Sequence, residues 1–410
     1  MTRSTPGAST RCALQRDARL ILAVQALRAF AYGAGSVLLG VSLARGGLSP
    51  TRVGLVLAAL VAGIAIASVV LARYGERFGR RRAYALLLAL MAITGSVFAV
   101  TTVLPLLILA ALVGAISSDV VESGPFTSLE QAMLANEPAA TRLKLFGTYN
   151  IVATVAGSLG ALAAGGLALL AGAIGSAPSD QRLLLVYPVC AILALPLALR
   201  LSAGVEAPRA AGAPAPRATL ERSRGVVVRL SALFAVDSLA GGFVVQAYIA
   251  YWLSHRFAAS TELIGIVFFA IGILQAASFR AAVFLGSRIG LLNTMVFTHL
   301  PSNVLLAAIA FAPNLPSAIA LLLGRFALSQ MDVPARQVYI ASLVDPDERT
   351  AAAAYTNTAR YVVRPAGPIA SGALLGAGFA GAPFLIAGIA KIAYDLALYR
   401  VFRRVPVPDG

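Results

Sequence analysis

Apolar stretches of about twenty residues follow one another along this chain with short polar breaks between them, the length at which an α-helix spans the hydrocarbon core of a bilayer. The pattern predicts twelve: 18–44, 52–72, 82–104, 106–135, 144–172, 182–201, 226–253, 262–285, 291–312, 315–343, 350–376 and 382–402. Several exceed the minimum span, which tilt accommodates. The one long polar stretch among them is 202–224, with Pro208, Pro214 and Pro216 set among Ala, Gly and Arg. It reads as a linker between two six-helix halves, 1–201 and 225–410. The remaining breaks are too short to hold a soluble catalytic domain.

The halves repeat each other. Gly75-Glu76-Arg77-Phe78-Gly79 returns as Gly286-Ser287-Arg288-Ile289-Gly290. Ser49 ahead of Val53-Gly54-Leu55-Val56 returns as Ser260 ahead of Ile264-Gly265-Ile266-Val267. Arg142, Asn150, Gly160 and Gly165 return at the same spacing as Arg349, Asn357, Gly367 and Gly372. Two similar membrane halves are the build of a secondary transporter, with its site where they meet. The pattern predicts an all-α integral membrane protein of twelve helices in two pseudo-symmetric six-helix bundles.

Composition agrees. Of 410 residues, 59% are hydrophobic and 12% charged, against roughly 25% charged in soluble domains, and the mean hydropathy is +0.83. A net charge of +16 could suggest nucleic acid, but the 33 Lys and Arg residues are placed otherwise. With the N-terminus inside, 22 fall in inner tails and loops, 4 in outer loops and 7 within helices. That bias places both termini in the cytoplasm and excludes nucleic acid as a partner. The first apolar run is long, carries Arg28 and lacks a small-residue cleavage site, so it reads as a retained helix. Cys12 and Cys190 fall in a tail and a helix and make no disulfide framework. No zinc or haem spacing, nucleophile–base set or phosphate-cradling Gly-Lys-Ser/Thr loop is present in the sequence. No cofactor, metal or catalytic residue is expected, and energy must come from an ion gradient.

The run Ala72-Arg73-Tyr74-Gly75-Glu76-Arg77-Phe78-Gly79-Arg80-Arg81-Arg82 resembles the signature loop of the major facilitator superfamily. It falls between the second and third segments, with a degenerate copy between the eighth and ninth. It departs in having Ala72 where the family usually has Gly, and Glu76 where it has Asp. Blocks such as Gly124-Pro125-Phe126, Glu130-Gln131-Ala132 and Asp332-Val333-Pro334-Ala335-Arg336-Gln337 point to a bacterial subgroup to which no substrate attaches. The resemblance implies a cytoplasmic gate of Gly75, Glu76, Arg77, Gly79 and Arg80. Glu76 would meet the start of the eleventh helix, and Arg77 or Arg80 an acid on the fourth, with Glu130 the natural candidate. The family's antiporter motif places a Gly-Pro pair on the fifth helix; here the pair is Gly367-Pro368 on the eleventh.

Ionisable groups at membrane depth are costly and mark substrate or ion pathways by default. The fourth segment holds Asp119 and Glu122, one turn apart if helical. Two such carboxylates do not both ionise easily, so one can load and release a proton. The resemblance implies that helices one, four, seven and ten line the cavity. It makes Arg28, Asp119, Glu122, Asp237 and Asp332 candidates for proton coupling or substrate contact, with Arg28 able to pair with one carboxylate of the fourth helix. Arg325, Asp332 and Arg336 share one face of the tenth segment, as a structural triad or as a site. Asn357, Arg360 and Arg364 follow at helical spacing on the eleventh; the arginines either reach Asp332 or Asp237 or hold an anionic group of the substrate. Lys391 and Asp395 read as lying near a helix end, and Tyr248, Tyr251 and Trp252 as an interfacial aromatic anchor.

The expectation is a monomeric secondary transporter of a bacterial inner membrane, moving a small molecule by alternating access. Proton-coupled export of an organic or drug-like compound comes first, with sodium open as the coupling ion. Uptake of a small anion or zwitterion, lipid flipping, or a receptor role without flux are the alternatives.

Overall fold

Leu, Ala and Val dominate the predicted segments, and in a bilayer only a helix satisfies every backbone group within one segment. The computed structural model describes residues 8–117, 119, 124–134, 139–173, 181–206, 220, 222–332, 336, 339, 343–344 and 348–403. The helices are α1 (Ala8–Arg45), α2 (Pro50–Phe78), α3 (Arg80–Val100), α4 (Leu104–Leu112), α5 (Pro125–Leu134), α6 (Ala139–Ala173) and α7 (Val186–Leu199). The second half has α8 (Arg224–Phe243), α9 (Gln246–Phe257), α10 (Thr261–Ile289), α11 (Leu291–Ala308), α12 (Leu315–Leu328), α13 (Arg349–Val363), α14 (Ala366–Gly376) and α15 (Ala382–Phe402).

Nine helical stretches among the described residues are long and apolar enough to cross a membrane, α8 and α9 together making one of them. The other three of the twelve predicted segments are the fourth, divided into α4 and α5, the eleventh, divided into α13 and α14, and the tenth. The tenth is α12 with further helical positions at Asp332, Arg336, Tyr339 and Leu343. Side chains such as Ile93, Leu109, Ile192 and Phe297 are more than half exposed, the apolar jacket that lipid requires.

The sequence repeat is written into the backbone. Gly79 closes α2 at φ +95° and Gly290 closes α10 at φ +83°, a region that any side chain strains to enter. Beyond Gly79 the loop departs from expectation. The Arg80 guanidinium donates to the Ala132 carbonyl at the end of α5 (3.0 Å), where the helix dipole favours a cation. The acid at this turn is Glu206, which accepts from the backbone N–H groups of Arg80 (2.7 Å) and Arg81 (3.2 Å). Glu130 is not the partner of Arg80 or Arg77; it is buried beside Arg28, and Arg77 is exposed. The side chains of Glu76 and Arg142 lie outside the described residues, as does most of the predicted linker.

At the opposite end the two halves of the chain touch backbone to backbone. A Cβ on Gly54 (α2) would stand 2.5 Å from the Pro368 carbonyl oxygen (α14), one on Gly40 (α1) 2.3 Å from that of Ala247 (α9), and one on Gly265 (α10) 2.7 Å from that of Ala161 (α6). The aromatic cluster belongs to this seam and not to the lipid interface. Tyr248, Tyr251 and Trp252 are at most 1% exposed, and the Trp252 indole donates to the Ala380 carbonyl (2.8 Å). Gly54→Val should therefore hold this end open. A cysteine introduced at Gln246 is expected to change from protected to reactive toward an impermeant maleimide added on that side. An unchanged labelling rate would mean that the seam is not the barrier.

Candidate functional site

Three broken helices meet at Asp119. The first break follows Leu112, where Gly114 takes φ +72° against α2, with a Cβ position only 2.1 Å from the Gly63 carbonyl oxygen. The described residues from Gly114 to Asp119 are not helical, so Asp119 does not share a helix face with Glu122 as expected. Glu122 itself lies outside the described residues. Side chains from other helices take up the freed backbone: Tyr32 donates to the Ala115 carbonyl (3.1 Å) and Tyr187 to that of Ser117 (2.9 Å). The second break separates α8 from α9 at Val244 and Val245, and Ser371 caps the Phe243 carbonyl (2.8 Å). The third falls at Arg364–Pro365, where proline has no N–H to continue the ladder. Irregular backbone at membrane depth survives only inside protein or along a cavity.

The Asp119 carboxylate joins these breaks across the two halves. Its Oδ1 accepts from the backbone N–H of Gln246 (3.2 Å), the first residue of α9, and its Oδ2 from Arg364 Nη2 (2.9 Å). A helix start leaves N–H groups without intrahelical partners and favours negative charge. Here the anion comes from the other half of the chain. The pair is partly buried, at 17% side-chain exposure for Arg364 and 18% for Asp119. Arg364 was expected to reach Asp332 or Asp237 or to hold substrate; it reaches Asp119.

Two clefts flank this junction. One, of about 260 Å³, is lined by Arg28, Tyr32, Ser117, Asp119 and Phe126 among others. The second, of about 310 Å³, lies between the halves and includes Ser36, Thr154, Ser158, Gln246 and Gln275. Its three hydroxyls donate to carbonyls of their own helices, which leaves their oxygens as acceptors. Sequence reasoning passed over these neutral residues because it ranked membrane-depth side chains by charge; Gln275, buried within an apolar run, was the available signal.

Arg28 does not pair with Asp119. Its Nη2 meets Glu130 Oε2 at 2.7 Å and its Nε meets Oε1 at 3.3 Å. Tyr84 (2.7 Å) and Tyr149 (2.5 Å) complete the carboxylate's shell, and Gln25 also accepts from Arg28. Glu130 is 0% and Arg28 3% exposed, with the guanidinium 5.1 Å from the rings of both Tyr32 and Phe126. Four helices are thus tied to one buried acid.

The second half has its own network. Asp237 (α8) meets Lys391 (α15) at 2.5 Å and Arg336 at 3.6 Å, and Arg336 also meets Asp332 at 3.3 Å. Lys391 is therefore a buried partner in mid-helix and not a snorkelling end group. Asp395 binds His299 (2.8 Å) and Asn303 (2.8 Å). The expected triad is only a pair, because Arg325 stays out of it: its Nε and Nη1 are buried with no hydrogen-bond partner. Arg360 forms no ion pair with a described residue, and Asn357 is exposed.

A match to the family model of the Major Facilitator Superfamily runs over residues 21–328, and the chain belongs to that superfamily. It is a multi-pass membrane protein and a secondary transporter, not an enzyme. Among known proteins it is 28% identical to the uncharacterized membrane protein YJR124C of Saccharomyces cerevisiae, over 96% of this chain and 95% of that one. Among solved structures it resembles the nucleoside transporter NupG, with TM-score 0.73 and 15% identity over 94% of this chain and 99% of that one. It also resembles the xylose transporter XylE from E. coli in an inward-open conformation, with TM-score 0.73 and 17% identity over 96% of this chain and 97% of that one. At these identities the likeness to the two structures is one of fold.

Proposed function

We propose that this chain exports a small organic molecule across a bacterial inner membrane in exchange for protons, with Asp119 as the proton site. The bridge from Asp119 to Arg364 and to the start of α9 supports this reading. An ion pair between the halves must be remade when they rock, and a proton on the carboxylate weakens it. Both Asp119 oxygens already hold N–H donors, which suits proton exchange better than a metal cation needing several oxygen ligands. The halves 1–201 and 225–410 would move about this site on the linker 202–224. The bias of basic residues supports both termini in the cytoplasm. In this orientation the glycine seam closes the outer face.

The test is proton movement in inverted vesicles carrying the protein, followed with an internal pH dye while cationic, zwitterionic and anionic solutes are added. Loss of an imposed acid-inside gradient on addition of one solute class supports exchange. Solute-driven acidification of the vesicle interior, with protons entering alongside the added solute, would instead make the carrier a symporter. No response to any solute counts against coupling.

A further inference from the structure

Among the described membrane-depth charges of the second half, the acids do not account for every base. Asp237 and Asp332 are taken by Lys391 and Arg336, and Asp395 is held by His299 and Asn303. Arg364 is spent on Asp119. Arg325 on α12 and Arg360 on α13 remain. Arg325 is 9% exposed, with Nε and Nη1 buried and without a hydrogen-bond partner, and Arg360 has a buried Nε in the same condition. Both feel the charge of Asp237, whose carboxylate is already held by Lys391 and Arg336. Arg325 stacks on Phe326 at 4.5 Å. A ring face offsets part of a cation's desolvation but gives its N–H groups no acceptor.

A guanidinium at membrane depth with unsatisfied donors is among the costliest arrangements a helix bundle can hold. Arginine is never neutral at working pH, so loss of a proton offers no relief. What relieves it is a bound acceptor with negative charge, and a planar carboxylate matches the guanidinium fork. We propose that Arg325 and Arg360 form the solute's anion subsite, and that the transported molecule is a small organic carboxylate. This deepens the transporter reading and rests on it. It also agrees with export, since an inside-negative potential drives an anion outward.

The test compares matched solutes on the purified full-length protein in detergent. Benzoate, succinate and glutarate are set against benzamide and succinamide, which keep the shape and lose the charge. The carboxylates are expected to raise the melting temperature by about 2 °C or more at saturation and the amides by nothing. Arg325→Gln and Arg360→Gln should each weaken the carboxylate effect at least about tenfold in half-saturating concentration, or 1.4 kcal/mol. If a variant fails to fold, the wild-type comparison of acid and amide still decides. Equal stabilisation by amides, or stabilisation by phosphatidylglycerol with none by the carboxylates, overturns the subsite. Carboxylate binding with no counterflow in proteoliposomes would sink the transporter reading and leave the subsite standing. Counterflow of uncharged solutes without carboxylate binding would do the reverse.

Discussion

Asp119→Asn is expected to abolish proton-driven solute accumulation while sparing solute exchange. Asparagine keeps an oxygen for the Gln246 N–H and loses the charge that holds Arg364, so it imitates a carboxylate that never releases its proton. Truncating one partner of a desolvated charge pair at an interface costs about 2–5 kcal/mol, or roughly 30-fold to several thousand-fold in the balance between two conformations. Counterflow, in which labelled solute exchanges for unlabelled with no net proton movement, needs the rocking motion but no titration. Accumulation needs both. The measurement is therefore the ratio of the two rates in proteoliposomes for wild type, Asp119→Asn and Arg364→Gln. Loss of accumulation with counterflow kept in Asp119→Asn marks a proton site. A parallel fall of both rates in both variants would make the pair a mechanical latch only.

The second large effect concerns stability. Glu130 is fully buried and receives Arg28, Tyr84 and Tyr149 at once. In Glu130→Gln the amide turns two donors toward groups that are themselves donors and leaves the Arg28 charge uncompensated. Breaking a buried pair in this way costs about 3–5 kcal/mol, seen as a fall in melting temperature and in the yield of folded protein. Arg28→Leu alone should cost as much, since it strands the carboxylate. The double replacement Arg28→Leu with Glu130→Leu should recover most of the loss, because a well-packed apolar pair often equals a buried ion pair in stability. If the double variant is as unstable as either single one, the tyrosine shell and not the charge pair carries the energy. If it is stable but transports nothing, the network has a part in the cycle as well.

Much of the architecture was legible because the bilayer enforces simple rules. Length and hydropathy mark a membrane segment wherever it sits, and glycines forced into positive φ, such as Gly79 and Gly290, recur because the same turn is built twice. The Asp332–Arg336 pair was legible for a like reason: four residues apart on one helix is a local distance. Glu130 was not. Its expected partner was chosen from a loop resemblance, but Arg28 on α1, 102 residues away in sequence, reaches it first. Trp252 was misplaced on similar grounds, since aromatic residues near a helix end suit a lipid interface and a packed seam equally well.

Residue order alone was enough to show that the chain crosses a membrane many times, that a set of motifs recurs across its midpoint, and which side chains carry charge at depth. Those are properties of composition and of period, readable from residues in order. Which charges are neutralised and which are left emerges from the packing of the helices against one another. Asp119 looked like one of two acids on a helix face, and it became a cap for α9 and a partner for Arg364 because Gly114 breaks its segment and the second half closes against it. Arg325 and Arg360 looked like two among several arginines. They stand apart only when the described carboxylates around them have been assigned, and that assignment depends on distances between helices that no local pattern contains.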